Sequence, residues 1–139
     1  MKNTIKTAIF KKIKISKKEV FIRSDFKKIA DYDQVGRALK ELASDGELIR
    51  VGYGLYAKAR KNRISGKPMV AAAGGFRQVA EESLKRLKVK WGYDNATKSY
   101  QKGSNQIPTK NIEIATTDRF NRKISLGNNR VIAKIVTTL

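Results

Sequence analysis

Cysteine and histidine are both missing from this 139-residue chain, proline occurs only twice and tryptophan once. Without cysteine there can be no disulfides and no thiolate metal sites, which suits a reducing compartment. Without histidine, zinc loses its other usual ligand, and acid–base chemistry near neutral pH loses its commonest agent. Acidic residues are scarce too, at 12, and Glu81-Glu82 is the only adjacent acidic pair. Neighbours on a helix point in different directions, so this pair does not make a facing dyad; it reads as two solvated positions near a helix start. Gly74-Gly75 lacks the lysine and spacing of a phosphate-binding loop. An enzyme is not expected, and neither is a metal or other cofactor. No apolar run approaches the roughly 20 residues that cross a bilayer. The N-terminal residues are charged and lack an apolar signal core and a cleavage site, so a cytoplasmic location is expected.

What the chain has in excess is positive charge: 31 Lys and Arg give a formal net charge of +19 and a pI near 10.3. Residues 1–63 carry 17 basic and 7 acidic side chains (net +10), and residues 64–139 carry 14 and 5 (net +9). An imbalance spread over both halves points to a polyanionic partner, because each phosphate contact releases condensed counterions. With 40% hydrophobic residues the chain can also bury a core.

Residues 23–56 are the most structured stretch. Ser24 is placed to cap a first short helix with Phe26 and Ile29 inward. Asp33 is placed to cap a second, on which Val35, Ala38, Leu39 and Leu42 recur at three- and four-residue spacing. Asp45-Gly46 supplies a C-terminal stop. Leu48-Ile49-Arg50-Val51, a Gly52-Tyr53-Gly54 turn and Leu55-Tyr56-Ala57 then read as a β-hairpin. Helix, helix, hairpin is the plan of a winged helix-turn-helix, a shape suited to the major groove of DNA. The outward residues of the second helix, Gln34, Arg37, Lys40 and Glu41, are the candidates for base contact, since arginine and glutamine match guanine and adenine edges. Candidates for phosphate contact are Ser24, Lys27, Lys28, Tyr32, Tyr53, Lys58, Arg60 and Arg63. Tyr56 is assigned to the hairpin core.

Residues 2–14 read as a basic amphipathic helix with Ile5, Ile9 and Ile13 on one face. Such a helix also suits a membrane surface, but this apolar face is narrow and has no Trp, so it is expected to cover a core. Val20-Phe21-Ile22 reads as a strand pairing with the hairpin, and the basic segment from Lys58 to Pro68 as a linker. Beyond it, Phe76 to about Lys90 reads as a helix with Val79, Ala80, Leu84 and Leu87 inward. Trp91-Gly92-Tyr93 ends that helix, and its aromatic pair suits either base stacking or a core plug. A short helix over 95–100 and a strand over 111–117 follow. Arg122–Leu126 and Arg130–Val136 flank Gly127-Asn128-Asn129 as a second hairpin. The expected class is α+β, with an N-terminal winged helix-turn-helix over residues 1–63, able to fold alone, and a small helix-plus-β-hairpin domain over 64–139.

The chain resembles the short relatives of the AbiEi-type antitoxins, bacterial type IV toxin–antitoxin regulators. The shared features are Asp45-Gly46-Glu47-Leu48-Ile49-Arg50 at the helix end, the wing Gly52-Tyr53-Gly54-Leu55-Tyr56, Asn105-Gln106-Ile107-Pro108, the strand Ile112-Glu-Ile-Ala115 and the closing hairpin containing Arg130. The match covers most of residues 4–136. It implies a DNA-binding N-terminal domain that represses its own operon and a C-terminal region tied to antitoxin activity. The cognate toxin in such systems is a nucleotidyltransferase-like protein, opposed without direct contact. The second half is shorter than in full-length members, and Lys102-Gly-Ser-Asn105 stands where relatives commonly have a more apolar stretch. Apart from the resemblance, two other readings of the residues stay open: a structured-RNA- or ribosome-binding basic protein, and a winged-helix interaction module with an acidic partner.

Overall fold

A computed structural model describes residues 4–93, 111–120, 122–127 and 129–138. Among the described residues, three α-helices and two four-stranded sheets make an α+β fold. The first helix, α1 (Ile5–Ile15), is capped by Thr4, whose hydroxyl accepts the Thr7 N–H at 3.1 Å, and it buries Ile9 and Ile13. A short strand, β1 (Val20–Phe21), follows.

The first expected helix is only a 3₁₀ turn, Arg23–Phe26. Ser24 does not cap it. The turn is closed by Asp25 instead, whose carboxylate accepts the Ile22 N–H at 2.9 Å. The second helix, α2 (Tyr32–Ser44), is capped by Asp31 rather than Asp33: the Asp31 carboxylate accepts the Gln34 N–H at 2.8 Å. Asp31 is the last extended residue, so its side chain reaches the third residue of the helix, while Asp33 already lies within the first turn. At the other end Gly46 takes a left-handed φ of 82°, and Glu47 N–H to Leu42 C=O with Gly46 N–H to Ala43 C=O closes a Schellman motif.

Strands β2 (Leu48–Gly52) and β3 (Leu55–Lys61) form the expected hairpin, with an irregularity between Arg50 and Gly52. β1 pairs with β3 through Val20–Ala57 and Phe21–Tyr56. The expected linker is also ordered structure. β3 continues to Lys61, Asn62 accepts the Ile64 and Ser65 N–H groups in a turn, and β4 (Pro68–Val70) returns along β3. Helix α3 spans Gly75–Arg86. β5 (Trp91–Tyr93), β6 (Asn111–Thr116), β7 (Ser125–Leu126) and β8 (Asn129–Ile135) form the second sheet in the order β5-β6-β8-β7, with β6 and β8 parallel and β7–β8 the expected second hairpin. The predicted helix over 95–100 and the Gln106-Ile107-Pro108 motif lie outside the described residues.

The first sheet is buried on both faces. Alternation sends Phe21, Leu48 and Tyr56 toward α1 and α2, where they pack with Ile9, Ile13, Phe26, Val35, Leu39 and Leu42. Their neighbours Val20, Val51, Leu55 and Ala57 face the other way, onto Val79, Ala80 and Leu84 of α3 and Ile112 and Ile114 of β6. Leu55 therefore belongs to the second cluster, whereas Tyr56 is a core residue as expected. Polar contacts follow the same route between the halves. Glu82 accepts the Glu19 N–H at 2.7 Å, so it fastens the two halves of the chain together rather than standing in solvent. Arg86 of α3 forms a salt bridge with Asp25 in the 3₁₀ turn.

Candidate nucleic-acid interface

On α2 the buried stripe Val35, Gly36, Ala38, Leu39 and Leu42 fixes the opposite face. Gln34, Arg37, Lys40 and Glu41 all lie on that exposed face. Glu41 approaches Lys6 of α1 at 3.9 Å, and Lys6 binds Asp45 at 2.5 Å. The hydrogen bond from Asp45 holds the Lys6 ammonium above its ordinary pKa, with Coulombic help from Asp45 and Glu41. Acidic charge at this end of α2 is thus engaged by α1. No other described side chain engages those of Gln34, Arg37 or Lys40.

The remaining candidates divide into three groups. Ser24, Lys27 and Lys28 are exposed in and just after the 3₁₀ turn. Lys58 turns inward: it is half-buried and donates to the Ser16 carbonyl at 2.5 Å, so it secures the end of α1 against β3 rather than standing free for phosphate. Arg60 and Arg63 are exposed toward the β3–β4 turn. Tyr32 and Tyr53 come together on one open groove of about 930 Å³, whose other lining residues include Arg50, Gly52, Arg122 and Lys123.

Four cations of this region are not among the sequence candidates. The Arg23 guanidinium lies 4.2 Å from the centre of the Tyr32 ring, and that of Arg50 lies 5.9 Å from Tyr53. Arg122 donates from Nη2 to the Tyr53 carbonyl at 2.6 Å, fastening the tip of the hairpin to the second half. Lys123 lies beside it, exposed, with its carbonyl against Gly52. The outward position of Arg50 in a strand was a usable signal. Nothing local brings Arg122 and Lys123 to Tyr53 from some 70 residues away.

Two glycines permit these approaches and separate their costs. A Cβ on Gly36 would sit 2.5 Å from Arg23 Cζ, and one on Gly52 would sit 2.6 Å from the Lys123 carbonyl oxygen. The arginine tip can swing away, and alanine is the better helix former by about 1 kcal/mol. Gly36→Ala should therefore leave stability within about 1 kcal/mol while displacing Arg23 from Tyr32. A backbone carbonyl cannot swing, so Gly52→Ala should cost about 1–3 kcal/mol, the usual scale of overpacking. Urea titrations of the two variants check the contrast, which equal losses would refute.

Trp91 and Tyr93 meet nearly edge to face at 4.9 Å, both partly buried against the core shared by the two sheets. Burial raises the Tyr93 pKa above its ordinary value, an effect partly opposed by Arg77, whose Nε donates to the phenol oxygen at 3.2 Å. Among the described residues no group of three or more acidic, histidine or cysteine side chains could hold a metal ion. Nor is any described helix long and apolar enough to cross a membrane.

The chain belongs to the family of unknown function DUF6088, which matches residues 8–138. No curated protein and no solved structure matches it.

Proposed function

We propose that the protein binds double-stranded DNA as a winged helix-turn-helix, with α2 as the recognition helix and β2–β3 as the wing, and regulates transcription. The observation that carries this reading is the exposed face of α2. Gln34, Arg37 and Lys40 are held in a fixed row by the buried stripe behind them, and their side chains have no hydrogen-bond or ionic partner among the described residues. A net charge of +19 supplies the sequence-independent attraction that such a helix needs. Following the AbiEi resemblance, the regulator is the autorepressing antitoxin of a cytoplasmic toxin–antitoxin pair, opposing a nucleotidyltransferase-like toxin without touching it. Rescue of growth when such a toxin from a neighbouring reading frame is co-expressed tests that part.

DNA reading has its own test. Selection from random duplexes gives the preferred site, against which variants are titrated. Arg37→Ala should reduce discrimination between site and random DNA by roughly 1–3 kcal/mol, the scale of one bidentate base contact. Lys28→Ala should weaken both duplexes about equally. Sequence preference that survives Arg37→Ala but is lost with Lys28→Ala would place the recognition face elsewhere. Tighter binding to structured RNA than to any duplex DNA at equal salt would favour the RNA-binding alternative.

A further inference from the structure

The groove beside the wing is built from both halves of the chain. Tyr32 comes from the first turn of α2, Arg50 and Tyr53 from the hairpin, and Arg122, Lys123 and Ser125 from the segment entering β7. Three cations line it, and no carboxylate among the described residues does. Its two tyrosines are 62% and 70% exposed, far from the usual state of large rings in a folded protein. Each has a guanidinium near its ring, Arg23 at Tyr32 and Arg50 at Tyr53.

The seat is also fixed in shape. Arg122 spends one nitrogen on the Tyr53 carbonyl and so pins the wing tip while its charge remains at the groove. Gly52 lets the Lys123 backbone pack directly on the hairpin. A second, smaller cavity of about 270 Å³ continues past Arg122, Lys123 and Ser125 toward Arg130. Three cations and two exposed rings on one groove suit an anionic chain whose charges alternate with flat or apolar units. A phosphodiester strand has that chemistry.

We propose that one strand of the duplex read by α2 runs through this groove, with its phosphates on Arg50, Arg122 and Lys123 and its sugars against Tyr32 and Tyr53. The inference rests on the DNA-binding reading above and adds that the second half is part of the interface. The track begins where the recognition helix begins, because Tyr32 is the first residue of α2.

The test uses the full chain and the salt dependence of duplex binding, which counts phosphate contacts. Arg50→Ala/Lys123→Ala removes two exposed cations, and the slope of log affinity against log salt should become shallower by about 1.8, at about 0.9 per contact. Lys85→Ala/Lys134→Ala removes the same charge from exposed positions outside the groove and should leave the slope unchanged. Equal flattening by both pairs would overturn the inference, because the second half would then act only through its diffuse field. An unchanged slope in Arg50→Ala/Lys123→Ala, while Arg37→Ala still costs discrimination, would overturn the groove and leave the DNA reading standing. No measurable duplex binding by the unmodified protein at low salt would overturn both.

Discussion

Residues 1–63 on their own are expected not to hold a cooperative fold. Cutting there keeps α1, α2 and the first three strands but strips the cover from one face of their sheet. Val20, Val51 and Leu55 are at most 1% exposed in the whole chain, and they rest on α3 and β6. Returning each to water costs about 1.5–3 kcal/mol. Together that is comparable to the 5–15 kcal/mol that holds a typical domain together. The fragment also loses β4 from the β3 edge, Glu82 from the Glu19 N–H and Arg86 from Asp25. Circular dichroism and a thermal melt of the fragment beside the full chain check this. A cooperative transition within a few degrees of the full chain would show that the second half is dispensable. Pattern alone suggests the opposite, because the amphipathic helices and hairpin appear complete by residue 63; what it does not display is that the hairpin has two apolar faces.

The second large effect concerns Asp25 and Arg86. Their side chains are only 14% and 22% exposed, and Arg86 Nε is already buried without a hydrogen-bond partner. Asp25→Ala leaves the guanidinium sequestered beside no anion and also removes the acceptor for the Ile22 N–H. A loss of about 2–4 kcal/mol is expected, set by the cost of an unpaired, partly buried charge rather than by the strength of the pair. Arg86→Met should cost less, since Asp25 keeps its backbone partner. The double variant Asp25→Asn/Arg86→Met should be more stable than Asp25→Ala, because it strands neither charge. Chemical denaturation of Asp25→Asn, Arg86→Met and their double variant beside the unmodified chain gives the coupling energy through a double-mutant cycle. A loss below about 0.5 kcal/mol in Asp25→Ala would place the pair among ordinary surface ion pairs.

Much of the fold was legible where local chemistry is unambiguous. The three- and four-residue spacing of Val35, Ala38, Leu39 and Leu42 fixed the buried side of α2, and Gly46 marked its end. The glycines around Tyr53 marked the hairpin. Errors arose where two residues competed for one job or where composition masked pattern. Asp31 and Asp33 lie two residues apart, and only the observed end of the extended backbone decides which caps. The Lys, Arg and Gly content of residues 58–68 suggests a linker, although Leu55, Ala57 and Ala59 continue the strand alternation underneath. In the candidate interface, the α2 face was readable as helix geometry. The groove was not, because it depends on a contact between Tyr53 and Arg122 that no sequence period encodes.

Strand β3 constrains how relatives of this chain can change in length. It pairs with β1, β2 and β4, and its side chains alternate between two sealed compartments, Tyr56 on one side and Leu55 and Ala57 on the other. Adding or deleting a single residue within Leu55–Lys61 would exchange the two sets, placing a phenol where the aliphatic cluster of α3 closes and a small alanine where Tyr56 fills space between the helices. Beyond Lys61, the turn through Ile64 is exposed to its tip and answers to neither compartment. Gain and loss of residues over evolutionary time therefore has an outlet in that turn and none in the strand that leads to it.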